Sequence, residues 1–178
     1  TQEIPETSIE RIQNAAADKT SKIIDIGGGD GTLIDFLLER GFESLSILDI
    51  SSKALQKAKK RLGSKAEHVQ FITSDIREFE TEATYEIWHD RATFHFLTEE
   101  NDIKKYVDIV KNAVSHTMII GAFSFEGPQK CSGLPIVQYD AERLQNVFLE
   151  DFELIRSFKQ NHITPFNTVQ NFIFCQFK

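Results

Sequence analysis

A cluster of glycines between an apolar run and an amphipathic run most constrains the fold of this chain. Residues 22–41 read KIIDIGGGDGTLIDFLLERG, and the clustered glycines are Gly27, Gly28, Gly29 and Gly31. Glycine tolerates positive φ and lets another group approach the backbone, because it carries no Cβ. The stretch predicts a buried strand, a tight turn that offers backbone N–H groups to a ligand, and a helix that stops at Gly41. An ordinary strand–turn–helix joint that favours glycine is the alternative.

The remaining chain alternates between strand-like and helix-like patterns without an internal repeat or a long linker. Strands are predicted at SKIIDIG, SLSILDI, HVQFITSDI, TYEIWHDR and TMIIGAFSF, with two more near FELIRSFKQ and TVQNFIFCQF. Helices are predicted from about Pro5 to Ala16, from Asp30 to about Arg40, over SSKALQKAKKRLG, from Thr98 onward, and over DAERLQNVF. This alternation predicts a largely parallel sheet, and a turn through ITPFN closes the chain as an antiparallel hairpin. Residues 1–178 are therefore expected to form a single α/β domain.

Composition excludes several classes of function. With 40 % hydrophobic residues and no run of 18 apolar residues, the chain fits one packed core and no membrane span. A net charge of −7 argues against binding to nucleic acid, which calls for a surplus of Lys and Arg. Cys131 and Cys175 lack a local partner spacing, so a reducing, cytoplasmic setting is expected. The histidines show no ligand spacing, and we predict no metal.

Three carboxylates follow or end the first three predicted strands. Asp25 lies in the first strand beside the glycines, Asp49 ends the second strand, and Asp75 ends the third. The carboxyl ends of parallel strands form the crevice where open α/β sheets bind ligands. Asp49 could accept hydrogen bonds from both hydroxyls of a ribose. Asp75 suits an exocyclic amino group such as that of adenine, and the N–H of Ile76 can face a ring nitrogen.

The residues DIGGGDG, LDIS, TSDI and HDRATFHFL, together with the closing hairpin, resemble the class I S-adenosylmethionine-dependent methyltransferases. The resemblance covers the chain from about Ile23 to Phe177. It implies a Rossmann-like three-layer α/β/α sandwich with a seven-stranded, mostly parallel sheet whose last strand is antiparallel. It also implies S-adenosyl-L-methionine as the cofactor. The cofactor-binding residues that it implies are Asp25, Gly27, Gly28, Gly29, Asp49, Ile50, Ser74, Asp75, Ile76 and His89.

The glycine turn has two other interpretations. In a nicotinamide-dependent oxidoreductase, the G-x-G-x-x-G spacing would place Gly or Ala at Thr32, so that spacing is not met. Asp30 also adds negative charge where a pyrophosphate would disfavour it, whereas a positive sulfonium tolerates it. A protein that binds the cofactor without catalysis is the second reading.

The fourth predicted strand ends where methyl donor and acceptor should meet. Its WHDR segment resembles the small-molecule branch of the family, including thiopurine-type S-methyltransferases. The expected function is therefore methyl transfer to a small molecule by in-line displacement, and a protein lysine methyltransferase is the alternative. His89 and Asp90 are the candidates for removing a proton from the acceptor. His89 could instead pin the loop through a hydrogen bond to the backbone.

Substrate contacts are expected from the fourth strand, from the long loop over residues 125–140 and from the closing turn. The candidates are Arg91, Phe94, Cys131, Tyr139 and His162. Three of them have a structural alternative: Arg91 pairs with Asp90 or with the loop, and Phe94 and Cys131 pack in the core. In this family, residues before the first strand often form a lid. Because one helix precedes Ile23, we expect part of that lid to be missing.

Overall fold

The computed structural model describes residues 5–164 and 167–178. The middle of the predicted ITPFN turn, Pro165 and Phe166, lies outside these residues. The helices are α1 (Glu6–Ala15), α2 (Leu33–Glu39), α3 (Ser52–Leu62), α4 (Glu100–Ala113) and α5 (Ala141–Phe148). The strands are β1 (Ile23–Ile26), β2 (Leu45–Asp49), β3 (Val69–Thr73), β4 (Tyr85–Arg91), β5 (Val114–Phe123), β6 (Lys130–Cys131), β7 (Leu134–Pro135), β8 (Leu154–Ile163) and β9 (Val169–Phe177).

Seven of these strands form one sheet in the order β3-β2-β1-β4-β5-β9-β8. Strands β1 to β5 are mutually parallel, whereas β9 runs antiparallel to both β5 and β8. The last strand, β9, thus lies between β5 and β8. It runs antiparallel to β8 because no crossover helix separates the two strands in the chain. The predicted sheet and its antiparallel final strand are confirmed.

Helices cover both faces of this sheet. One buried cluster joins α1, α2 and α3 to the sheet, for example through Ile12 and Leu37. A second cluster joins α4 and α5 to the opposite face, for example through Tyr106 and Phe148. The central strands contribute to both clusters and are buried on both sides, as is typical of a parallel sheet that is covered by helices. The architecture is therefore the expected three-layer α/β/α sandwich.

Local capping sets where the helices begin and end. The hydroxyl of Ser51 accepts the N–H of Ala54 at 3.2 Å at the start of α3, and Gly63 follows its last residue with φ 58°, as predicted. The fourth helix begins later than predicted, because the carbonyl of Glu99 accepts the first intrahelical N–H, from Ile103. Thr98 lies just outside the helix.

A short hairpin within residues 125–140 was not predicted. Strands β6 and β7 pair through Cys131 and Leu134, and the residues between them, Ser132 and Gly133, have φ of 50° and 80°. Positive φ at both positions is typical of the two-residue turns that join antiparallel strands. The Ser-Gly dipeptide was the available signal. Across the part of the chain that the structure describes, no helix is long and apolar enough to cross a bilayer.

Candidate active site

Two adjoining cavities open at the carboxyl edge of the sheet. The first has a volume of about 570 Å³ and extends over the ends of β2 and β3. The second has a volume of about 370 Å³ and extends over β1 and β4 toward α1 and the β8–β9 hairpin. Gly27 and Ala92 line both cavities, so these two residues mark where the spaces meet.

The glycine turn separates the cavities and has no room for side chains. Gly27 and Gly29 have φ of 66° and 53°, which L side chains rarely adopt. A Cβ on Gly27 would overlap the hydroxyl of Thr93, and one on Gly28 would overlap the carboxylate of Asp25. The N–H of Gly31 donates to the carbonyl of Gly28 at 2.8 Å and closes the turn. Residues up to Thr32 therefore belong to the turn, and α2 begins at Leu33, later than predicted.

The first cavity collects the predicted residues that follow β2 and β3. Its wall includes Asp49, Ile50, Ser74, Asp75 and Ile76. Asp49 is partly exposed, and its carboxylate accepts the N–H of Ser51 at 2.7 Å. Ile50 is 70 % exposed, which is unusual for a large apolar side chain beside a cavity and makes its surface available to a ligand.

An ion-pair network at Asp75 was missed by the sequence analysis. The guanidinium of Arg77 donates to both carboxylate oxygens of Asp75, at 2.5 to 3.1 Å, and to Asp102 at 3.1 Å. The hydrogen bonds from Arg77 lower the pKa of Asp75 below its ordinary value. Both Arg77 and Asp102 line the first cavity. The carboxylate expected at an adenine amino group is therefore held ionised.

The second cavity contains a buried chain of three hydrogen-bonding side chains. Nδ1 of His89 lies 2.7 Å from the carboxylate of Asp25, and Nε2 lies 2.9 Å from the hydroxyl of Ser8. All three residues line this cavity, and each is at most 6 % exposed. The ring of His89 is thus held by side chains of β1 and α1 rather than by the backbone hydrogen bond to the loop that its alternative role requires, and it lies at the cavity. Ser8 belongs to no motif and was not predicted.

Asp90 lines neither cavity, so the structure does not support its expected role as a proton acceptor. Successive side chains of a strand point to opposite faces, so Asp90 faces α4 whereas His89 faces α1. Its carboxylate accepts the N–H groups of Thr93 and Phe94 and the hydroxyl of Tyr106, and it is fully buried. Burial raises the pKa of Asp90 to about 6. Its contacts make it a structural residue that holds the loop after β4.

Three further candidates for substrate contact are placed outside the two cavities. Phe94 is fully buried among Tyr106, Tyr139 and Phe148. Tyr139 is itself buried, and Cys131 is half-buried in the β6–β7 hairpin, where burial raises the pKa of its thiol. Phe94 and Cys131 thus pack against the apolar core, as their structural alternative expects, and Tyr139 is also part of the core.

Arg91 and His162 lie where substrate contacts were expected. Both line the second cavity, together with Gln170 and Phe172, which were not predicted. The guanidinium of Arg91 lies 5.1 Å from the centre of the Phe172 ring, within the range of a cation–π contact.

The charge of Asp30, which was expected to disfavour a pyrophosphate, lies away from both cavities. Its side chain is 56 % exposed and lies 3.6 Å from the ammonium of Lys57, and it lines neither of the two cavities. It therefore does not discriminate between a sulfonium and a pyrophosphate.

The loop after β4 contributes residues that the sequence did not single out. Ala92 adopts φ 69° where the two cavities meet, and its N–H donates to the carbonyl of Gly121 at 2.8 Å. A non-glycine residue in this region stores about 1–2 kcal/mol of strain, and such strain often occurs at ligand sites. Thr93 anchors the loop by donating to the carbonyl of Ile26 at 3.2 Å.

The β6–β7 hairpin forms part of the wall of the first cavity. Leu134 and Pro135 line it, although Leu134 is 57 % exposed. The long loop after β5 thus covers a ligand cavity, although not through the Cys131 and Tyr139 side chains expected to do so. Within residues 5–164 and 167–178, no group of three or more His, Cys, Asp or Glu is arranged to hold a metal ion.

Comparison with known proteins agrees with this architecture. The model of a family described as "Methyltransferase domain" matches residues 23–117. The chain is 28 % identical over 103 residues to the mouse protein "eEF1A lysine and N-terminal methyltransferase", covering 56 % of this chain and 15 % of that protein. It is 27 % identical over 93 residues to "Malonyl-[acyl-carrier protein] O-methyltransferase 2" of Ilyobacter polytropus, covering 52 % and 36 %. The chain thus spans well under half the length of either relative.

Solved structures share the fold over almost the whole chain. N-methyltransferase NodS from Bradyrhizobium japonicum superposes with a TM-score of 0.75 at 12 % identity, covering 97 % of this chain and 93 % of NodS. At this identity the likeness concerns the fold.

Proposed function

This chain belongs to the methyltransferase domain family, whose model covers more than half of it, and on that premise we propose that it is an S-adenosyl-L-methionine-dependent methyltransferase acting on a small molecule. The observation that carries the proposal is the glycine turn. Its backbone adjoins a cavity lined by Asp49 and Asp75 on one side and a smaller polar cavity on the other. This arrangement fits a nucleoside, its amino-acid extension and an acceptor in that order.

The residues present fit this cofactor. Gly27 and Gly28 line the second cavity, and neither has room for a Cβ, which would overlap Thr93 or Asp25, so a ligand there would meet backbone without a side chain. Asp49 would accept hydrogen bonds from the ribose hydroxyls, and Asp75 with Ile76 would hold the adenine. The cofactor would supply an electrophilic methyl group with a good leaving group already in place.

The protein's own part in the reaction is alignment and exclusion of water. Gly27 and Ala92, which line both cavities, would fix the point where donor and acceptor meet. Arg91, His162 and Gln170 would orient the acceptor from the walls of the second cavity. Leu134 and Pro135 would shield the nucleoside from solvent.

A small acceptor is favoured by the second cavity. Its volume of about 370 Å³ is bounded by α1 on one side and by the β8–β9 hairpin on the other. NodS is an N-methyltransferase, and the Ilyobacter relative is an O-methyltransferase of a malonyl group on a carrier protein. The mouse relative modifies lysine, so transfer to a protein lysine is the second candidate.

We further propose that the protein acts in the cytoplasm. Cys131 and Cys175 are both free thiols, as expected in a reducing compartment. The net charge of −7 makes nucleic acid an unfavourable partner.

Isothermal titration calorimetry with S-adenosylmethionine, S-adenosylhomocysteine and NAD tests the choice of cofactor. We expect both sulfur compounds to bind with micromolar affinity and NAD to show no heat. Binding of NAD alone would overturn the proposal in favour of an oxidoreductase.

Transfer of radiolabelled methyl groups in a cell lysate tests the acceptor class. We expect label in the small-molecule fraction. Label confined to protein would select the lysine methyltransferase, and absence of label in both fractions, despite cofactor binding, would indicate a non-catalytic binder.

A further inference from the structure

The hydrogen-bond chain Asp25–His89–Ser8 joins three elements that are distant in sequence. Asp25 lies in β1, His89 in β4 and Ser8 in α1, and the two hydrogen bonds measure 2.7 and 2.9 Å. Their exposed fractions are 6 %, 2 % and 1 %. A buried chain of this kind holds each member in one orientation, because breaking any link leaves a polar group unsatisfied.

The partners of the two ring nitrogens favour one tautomer of His89. With the Asp25 carboxylate as acceptor, Nδ1 of His89 carries the proton of the 2.7 Å bond. In a neutral imidazole, Nε2 is then unprotonated and accepts. Ser8 therefore donates its hydroxyl proton to Nε2, and its oxygen keeps lone pairs for a further donor.

Ser8 lines the second cavity, together with His89 and Asp25. An acceptor bound there reaches His89 through Ser8, because both ring nitrogens are already hydrogen-bonded. From this geometry we propose that Ser8 and His89 form a proton relay for the acceptor, with Asp25 as the residue that positions His89. The relay rests on the proposed methyltransferase function.

The relay serves an acceptor that carries an exchangeable proton, such as an alcohol, a thiol or an ammonium-derived amine. The acceptor passes its proton to the Ser8 oxygen while the Ser8 hydroxyl proton moves to Nε2 of His89. The electron pair on the acceptor atom forms the new bond to the methyl carbon, and the bond from that carbon to the sulfonium breaks. The positive charge of the sulfonium is replaced by that of the His89 imidazolium, so the charges balance.

The tautomer of His89 can be measured without cofactor or acceptor. Long-range ¹H–¹⁵N NMR spectra of the ¹⁵N-labelled protein report which imidazole nitrogen carries the proton, and the His89→Gln variant identifies the signals. We expect a neutral ring protonated at Nδ1, with Nε2 unprotonated. Protonation at Nε2 would overturn the relay, because Ser8 would then accept from His89 and could not pass a proton to it.

Kinetics of Ser8 variants test the function of the relay. With saturating S-adenosylmethionine and the lysate fraction that takes up label, Ser8→Ala should lower kcat by about 100-fold, as expected for losing a general base. Its KM for S-adenosylmethionine and its affinity for S-adenosylhomocysteine should stay within about twofold of wild type. Ser8→Thr keeps the hydroxyl and should restore most of kcat.

The exposed Gln13 on the same helix provides the control, and Gln13→Ala should behave like wild type. An unchanged kcat in Ser8→Ala would overturn the relay while leaving the methyltransferase proposal intact. Absence of S-adenosylhomocysteine binding by the wild-type protein would overturn the methyltransferase proposal instead. If Ser8→Ala fails to fold, the tautomer of wild-type His89 decides the question.

Discussion

Asp49 and Asp30 both lie beside the glycine turn, but their surroundings differ. Asp49 lines the first cavity, whereas Asp30 points to solvent near Lys57. Asp49→Ala should weaken binding of S-adenosylhomocysteine by on the order of 2–4 kcal/mol through the loss of two charge-assisted hydrogen bonds. Asp30→Ala should leave the affinity within about twofold. Calorimetry on both variants checks this, and equal effects would remove Asp49 from the site.

Asp90 predicts a specific pH dependence of stability. Burial raises its pKa to about 6 from an ordinary value of 3.8, so between these pH values the folded protein holds a proton that the unfolded chain releases. Its contribution to the free energy of unfolding is therefore present below pH 3.8 and lost as the pH rises through 6, on the order of 3 kcal/mol. Asp90→Asn should remove this contribution.

His95 acts in the opposite sense over the same range. Burial lowers its pKa to about 4 from 6.5, so its contribution is present above pH 6.5 and lost as the pH falls through 4. Urea titrations of wild type and Asp90→Asn at several pH values between 4 and 6.5 separate the two. The variant should gain stability relative to wild type as the pH rises, and a constant difference would contradict the raised pKa of Asp90.

Residue-level expectations succeeded or failed according to side-chain direction. The segment WHDR predicts the end of a strand, but the sequence analysis expects both His89 and Asp90 to remove a proton from the acceptor. The period of two in a strand puts them on opposite faces, so the same sequence could have separated them. Ser8 could not be predicted, because its contact with His89 depends on how α1 packs against β4.

At the scale of elements, the β6–β7 hairpin covers the first cavity without belonging to the main sheet. Leu134→Ala should therefore weaken S-adenosylhomocysteine binding by about 3–10-fold, since part of an apolar side chain is buried only in the complex. Leu149 is equally exposed at 56 % and lines neither of the two cavities, so Leu149→Ala is the matched control.

Both variants should keep the melting temperature of the wild type within about 2 °C, because the altered side chains contribute little to the core. Calorimetry and thermal unfolding followed by circular dichroism measure the two properties. Equal affinities of Leu134→Ala and the wild type would show that the hairpin does not cover the bound nucleoside.

The order of elements was predictable, but the hairpin was not. Short apolar or alternating runs predicted the strands of the main sheet, and longer segments with a period of 3.6 predicted the five helices, because burial leaves these patterns in the sequence. Strands of two residues impose no period. The Ser-Gly dipeptide, Ser132 and Gly133, is the one local signal that indicates β6 and β7.

At the scale of the whole molecule, the matched region depends on the end of the chain. The family match stops at residue 117, within β5, but β5 pairs with β9 from Met118 to Phe123. A fragment of residues 5–124 would expose the edge of β5 and the apolar surface that β9 covers. We expect it to aggregate or to unfold without cooperativity.

Size-exclusion chromatography and thermal unfolding of the fragment test this dependence, with the chain of 178 residues as the control. A monomeric fragment with a cooperative transition would show that the first five strands form an independent unit. The closing hairpin was predicted from two consecutive strand patterns. Its insertion beside β5 was implied by the family resemblance, since local sequence does not determine which strands become neighbours.

The joint between the two cavities has a consequence for inhibitor design. Gly27 and Ala92 line both cavities, so a compound that occupies both must pass these two residues. They limit how wide the linker between its two parts can be. Bisubstrate inhibitors should therefore gain potency from a short, slender linker and lose it when the linker is branched. The affinities of a series of inhibitors that differ only in the bulk of the linker would show how wide the passage between the two cavities is.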